Sequence, residues 1–111
     1  MRRGEIRVVD FRGWEASKRR PAVIVSNDRE CRGRPYWARC NHRPSNHLQL
    51  WRIYPFQVRL PAAASGLRQD SKVQAEQVRS VAVERLGERV GNVPTAIMLQ
   101  IDEALRLHLA L

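Results

Sequence analysis

RRPAVIVSN, residues 19–27, decides the fold. Pro21 opens a β-branched run that suits a central strand, and proline is tolerated at a strand's first position. Upstream, Glu5 to Phe11 alternates, with Ile6 and Val8 on one face and Val9 and Phe11 on the other, the period of a strand buried on both sides. Residues 12–20, RGWEASKRR, carry four cations and no apolar period, which predicts an exposed basic loop. The two runs therefore form a β-hairpin with a charged tip. Further along, Tyr54 to Leu60 alternates through Phe56, Val58 and Leu60 and predicts a third strand, again with a proline, Pro55, near its start. ASGLRQDS reads as a turn. Lys72 to Val81 alternates weakly, with Val73, Ala75, Gln77, Arg79 and Val81 on one side; a strand is predicted and a helix is the alternative. Gly91 and Pro94 punctuate the chain before TAIMLQIDEALRLHLAL, where Ile97, Ile101, Ala104, Leu105 and His108 fall at helical spacing and Asp102 and Glu103 face outward. Short strands followed by one packed helix predict an α+β domain or a partly open barrel.

Composition bounds what such a chain can do. Its 111 residues include 20 Lys and Arg against 11 Asp and Glu, a formal charge of +9, with 43% hydrophobic and 6% aromatic side chains. That length supports one domain, residues 1–111, with a core that needs no metal or disulfide staple. No run approaches a membrane span, and MRRGEIRVVD lacks the apolar stretch of a secretory leader, so a cytoplasmic location is expected. Cys31 and Cys40 exclude a disulfide framework but not a single bridge. The charge points to polyanions, nucleic acid first.

The blocks RRGEIRVVDF (2–11), EASKRRPAVIVSNDR (15–29), YPFQVRLPA (54–62), DSKVQAEQVRSVAVERL (70–86) and VGNVPTAIMLQIDEAL (90–105) resemble the MazF/PemK family of toxin endoribonucleases. The most specific parts are Arg20-Pro21 after the loop holding Gly13 and Glu15, and the string from Gln74 to Ser80. The resemblance implies a small SH3-like, CcdB-like β-barrel with a C-terminal helix, working as a homodimer. It also implies metal-independent cleavage of single-stranded RNA, no cofactor, and neutralisation by the acidic tail of a MazE-like antitoxin. The chain departs from the family in a shortened first loop, in Trp14 before the loop glutamate where Ser is usual, and in Arg7 where an aromatic is usual.

Residues 30–52, ECRGRPYWARCNHRPSNHLQLWR, have no family counterpart and read as neither strand nor helix. The family expects a Gly-rich turn here, then a β-branched strand with a catalytic Thr and a Ser-Asn pair. Read one base late, the codons of Asn41, His42, Asn46 and His47 can encode only Ile or Thr. Trp37 becomes Gly, Cys40 becomes Val or Ala, and Gln49 becomes Asn or Ser. One allowed codon choice gives SAGAARTGRGVITVPVTISNYGE, a strand segment of the missing kind. The hypothesis is a compensated frameshift over 30–52, and the coding DNA decides it: a gene with no shifted frame giving a β-branched segment rules it out. A divergent loop is one alternative. A zinc site of Cys31, Cys40, His42 and His47 is another, but it lacks paired C-x-x-C spacing.

Metal-free RNA cleavage must deprotonate the 2′-hydroxyl, stabilise extra charge on phosphorus and protonate the leaving oxygen. The Arg20 guanidinium suits the second task, a charged planar fork matched to phosphate oxygens, and the resemblance makes it the catalytic arginine. Glu15 orients it or acts as base. The family's strand Thr falls near Asn46, whose amide cannot replace a hydroxyl in proton transfer. Lys18 and Arg19 are candidates to hold RNA phosphates. Gln74, Glu76, Gln77 and Arg79 lie on the strand that lines the family's RNA groove, where amides and carboxylates read the edges of unstacked bases. Trp14, Trp37 and Trp51 are candidate stacking residues, and His108 reads as a packed helix residue. For each of these the plain alternative is a solvated loop charge or ordinary surface polarity. Two other functions stay open: a catalytically impaired relative that sequesters antitoxin or RNA or poisons a topoisomerase, and a gene relic.

Overall fold

The computed structural model describes residues 2–10, 19–27, 33–44, 51–80 and 82–111. Its elements run β1 (Glu5–Asp10), β2 (Arg19–Ile24), β3 (Tyr36–His42), β4 (Gln57–Leu60), α1 (Ala62–Ser65), β5 (Ser71–Ser80), a 3-10 turn (Val83–Arg85), β6 (Leu86–Asn92) and α2 (Thr95–Leu109). The strands make one six-stranded sheet in the order β4-β5-β3-β2-β1-β6, every neighbouring pair antiparallel. β4 and β6 end an open, barrel-like sheet, and α2 covers one face.

Alternation assigns the two faces. Ile6, Val23, Ala38, Cys40, Val58, Leu60, Val73 and Ala75 point toward α2 and pack with Met98, Ile101 and Ala104. The opposite face carries a smaller cluster of Val9, Ala22, Ile24 and Trp37, with Leu86 against it. Burying an aliphatic side chain contributes roughly 1.5–3 kcal/mol, so the larger cluster supplies most of the stabilisation. Burial pushes the Cys40 thiol up to about 12, against the pull of a backbone hydrogen bond at Val23. Cys40 is therefore a packing residue and not a thiolate.

The hairpin of β1 and β2 forms as expected, in a register that sets Val9 opposite Arg20. β2 begins at Arg19, so Arg19 and Arg20 belong to a strand rather than to the expected loop; residues 11–18 lie outside the described ones. The expected third strand shrinks to Gln57–Leu60, because Pro55 and Phe56 occupy a turn. β5 settles the strand-or-helix question as a strand. Its alternation is not uniform: β3 advances only from Arg39 to Trp37 while β5 steps from Gln74 to Arg79, which turns Arg79 to the Trp37 face, away from Val73 and Ala75.

Three elements differ from expectation outright. The segment that read as neither strand nor helix holds β3, hydrogen-bonded to β2 and β5. Trp37 is 1% exposed and packs in the smaller cluster. The expected turn after β4 begins with α1, whose first backbone N–H at Ala62 donates to Asp70 Oδ1 at 2.9 Å. That backbone bond, with Arg59 nearby, holds the Asp70 carboxyl below its ordinary range. β6 appears where only punctuation was visible. In α2, His108 is exposed rather than packed, and Asp102 is half-buried in an ion pair with Arg3.

Gly91 shows why a glycine-bearing segment is a strand here. A Cβ at this position would run into the Ser65 carbonyl oxygen and lie 3.3 Å from Ile6 Cδ1, so only glycine lets α1 close on β6. Gly91→Ala is expected to lower stability by about 1–3 kcal/mol. In denaturant unfolding the midpoint should fall with an unchanged m-value.

Candidate nucleic-acid interface

The face opposite α2 is organised by sheet register. One rung runs Arg89, Arg7, Ala22, Arg39, Gln74, Gln57 across β6, β1, β2, β3, β5 and β4. The next carries Val9 and Arg20 on β1 and β2, and Asn41, Lys72 and Arg59 on β3, β5 and β4. Residues directly opposite in a ladder share a face, so these cations stand on one surface. They are spaced about 4.8 Å across strands and about 7 Å along them.

Internal partners leave these cations unequally available. Arg7 donates to Glu5 Oε1 and to the Gly87 carbonyl, each at 3.0 Å, and Arg89 lies 4.0 Å from Glu5. Burial works to raise the Glu5 carboxyl, but a backbone hydrogen bond at Arg2 and the Arg7 guanidinium hold it below its ordinary value. Lys72 Nζ donates to the Arg52 carbonyl at 2.9 Å, and Arg59 lies 3.6 Å from Asp70. Arg20 differs. It is half-buried beside the small apolar cluster and has no hydrogen-bond or ion-pair partner among the described residues. A partly desolvated cation held on a strand without a protein anion is suited to receiving an external one.

The other sequence-predicted residues divide. Arg19 is exposed, and its guanidinium lies 2.6 Å from where a Cβ on Gly87 would stand. Glu15, Lys18 and Asn46 lie outside the described residues. Gln74 shares the first rung with Arg39. Glu76 accepts a hydrogen bond from Gln57 Nε2 at 2.6 Å, which ties β5 to β4. Gln77 is half-buried, and Arg79 is exposed beside Trp37. Sequence reasoning missed Arg7, Arg39, Asn41, Gln57, Arg59 and Lys72. Their signal was strand alternation in β1, β3, β4 and β5, which gains meaning only once register is known.

Among the described residues no group of His, Cys, Asp and Glu is placed to hold a metal ion. Nor is any helix there long and apolar enough to cross a membrane. Fold and site together define a small basic domain, a barrel-like antiparallel sheet backed by one helix, with a cationic face on the side away from that helix. Residues 2–109 match the family described as PemK-like, MazF-like toxin of type II toxin–antitoxin system. The chain belongs to this family. It is 48% identical over 116 residues to endoribonuclease MazF9 of Mycobacterium tuberculosis, covering 100% of this chain and 98% of that protein. It is 27% identical over 114 residues to endoribonuclease EndoA of Bacillus subtilis, covering 100% and 96%. Its fold matches a mycobacterial endoribonuclease solved in complex with its cognate antitoxin, with a TM-score of 0.76, 23% identity, and coverage of 100% and 96%.

Each phosphate contact made by a cation steepens the salt dependence of binding, by about 0.7 per contact for a single strand. For an uncleavable single-stranded oligonucleotide, Arg20→Ala should reduce the slope of log K against log salt by about that amount. Anisotropy titrations at several salt concentrations measure it.

Proposed function

We propose that this chain is the toxin of a type II toxin–antitoxin pair, an endoribonuclease that cuts single-stranded RNA at a short sequence without a metal. The observation that carries the reading is Arg20, a partly buried guanidinium with no protein partner among the described residues, standing in a cationic face on the side away from α2. The names of two relatives, endoribonuclease MazF9 and endoribonuclease EndoA, support the activity.

The chemistry follows from atom balance. The 2′-oxygen loses its proton and attacks the adjacent phosphorus, the bond to the 5′-oxygen breaks, and that oxygen takes up a proton. The products are a 2′,3′-cyclic phosphate and a free 5′-hydroxyl. Charge builds on the non-bridging oxygens during the step, and a bidentate guanidinium stabilises that charge where an ammonium offers one point contact. Arg20 takes this role. Glu15 serves as base or orients Arg20, while Lys18 and Arg19 hold flanking phosphates. Gln74, Glu76, Gln77 and Arg79 supply the base-reading strand, with Glu76 held in place by its bond to Gln57.

The active unit is a homodimer. Its support is the apolar outer side of α2, where Leu99 is 61% and Leu107 57% exposed and both line a groove with Pro55, Val58 and Ala104. An acidic antitoxin segment neutralises the toxin by competing for the same cations, and the antitoxin complex of a structural neighbour supports this. Substrate and partner place the protein in the cytoplasm.

A long unstructured RNA incubated in excess chelator should be cut at discrete sites, leaving cyclic phosphate ends. Arg20→Ala should lower the rate by roughly a hundredfold or more, the scale of losing one oxyanion-stabilising group. Arg20→Lys should recover only part of it. RNA binding with no cutting by the unaltered chain would favour the binding-only relative instead. Retained cutting in Arg20→Ala would remove Arg20 from the mechanism.

A further inference from the structure

Beside the cationic rungs, the approach to β4 gathers aromatic rings and guanidinium groups that the cleavage chemistry leaves unused. The rings of Tyr54 and Phe56 are stacked, with centroids 5.5 Å apart and planes within 1°. The guanidinium of Arg52 sits 5.1 Å from the Tyr54 ring centroid, and that of Arg43 lies 5.5 Å from the Trp51 ring. Tyr54 is 42% exposed, and Arg52 and Arg43 are both exposed.

Rings of this size normally bury their faces, so a stack in which Tyr54 is exposed and Phe56 half-buried needs a reason to be held in place. Two bonds hold it. Gln57 Oε1 accepts from the Tyr54 backbone N–H at 3.1 Å, and Lys72 Nζ donates to the Arg52 carbonyl at 2.9 Å. Gln57 and Lys72 belong to the two rungs on the face opposite α2, and through them the stack is fastened to the surface that carries Arg20.

We infer that Arg52, Tyr54 and Phe56, with Arg43 and Trp51 beside them, form a stacking platform for unpaired bases of the RNA strand whose phosphates lie on the rungs. This rests on the endoribonuclease reading and adds a base-binding subsite to it. The chemistry suits single strands. Every base has a π-face, so aromatic rings and guanidinium planes take bases with little sequence preference, while the neighbouring cations hold the backbone. Of the possible occupants, a strand with both phosphates and flat bases uses both halves of this surface, whereas an acidic peptide uses only its charge.

The test compares a 2′-O-methyl oligouridylate, which cannot be cut, with an abasic oligonucleotide of the same length and charge. The unaltered protein should bind the base-bearing oligomer more tightly. Tyr54→Ala should weaken that binding by roughly five- to a hundredfold and leave the abasic oligomer unaffected. Tyr54→Phe, which keeps the ring, should bind as the unaltered protein does. Equal affinity of the unaltered protein for the two oligomers overturns the platform whether or not Tyr54→Ala folds. So does unchanged binding by Tyr54→Ala while Arg20→Ala weakens it, and in that case the RNA reading stands. Binding of neither oligomer removes the RNA reading and the platform with it. Loss of acidic-peptide binding alone in Tyr54→Ala would reassign the stack to a polypeptide.

Discussion

The positions of the functional side chains depend on β3 being hydrogen-bonded on both flanks. β2 pairs with it on one side and β5 on the other, so this strand carries the register of the β1–β2 hairpin across to β5 and β4. A slip of one residue on either side would turn Arg39 and Asn41 into the helix-side core and expose Ala38 and Cys40. The buried thiol of Cys40 and the buried ring of Trp37, on opposite faces, oppose such a slip. With that register fixed, cations from separate strands share one surface.

Much of the fold was legible because local pattern and tertiary environment agree. β1, β2 and β5 alternate or run β-branched as strands between two faces should, and α2 shows its stripe. The misses have physical reasons. β3 places Trp37, Arg39 and Asn41 on one face and Ala38, Cys40 and His42 on the other, an alternation hidden by its polar composition. β6 contains Gly91, read as punctuation, yet that glycine is what allows α1 to pack closely against the strand. The cap on α1 comes from Asp70, beyond the helix's own end, and no local reading sees it.

The site was legible where a motif marks it and obscure where topology makes it. Arg20 stood out because a cation precedes Pro21 at the mouth of a strand, and the β5 string was visible as polar positions on a half-buried strand. Arg7 looked like a departure from a family pattern, while its place in the rung with Arg39 and Gln74 emerges only from pairing between strands distant in sequence. The same holds for Lys72. Its amine reaches the Arg52 carbonyl, and in doing so it fixes the aromatic approach to β4.

The two faces divide the work. The helix-side core supplies cohesion, and the opposite face trades apolar burial for charge, with only a small cluster around Trp37 and Ile24 beneath it. A structure of the chain with a short uncleavable single-stranded RNA bound tests this division most directly. Phosphate oxygens are expected within hydrogen-bond distance of the Arg20 guanidinium, on the side of the sheet away from α2. An RNA strand lying along α2, or one that leaves Arg20 uncontacted, would contradict it.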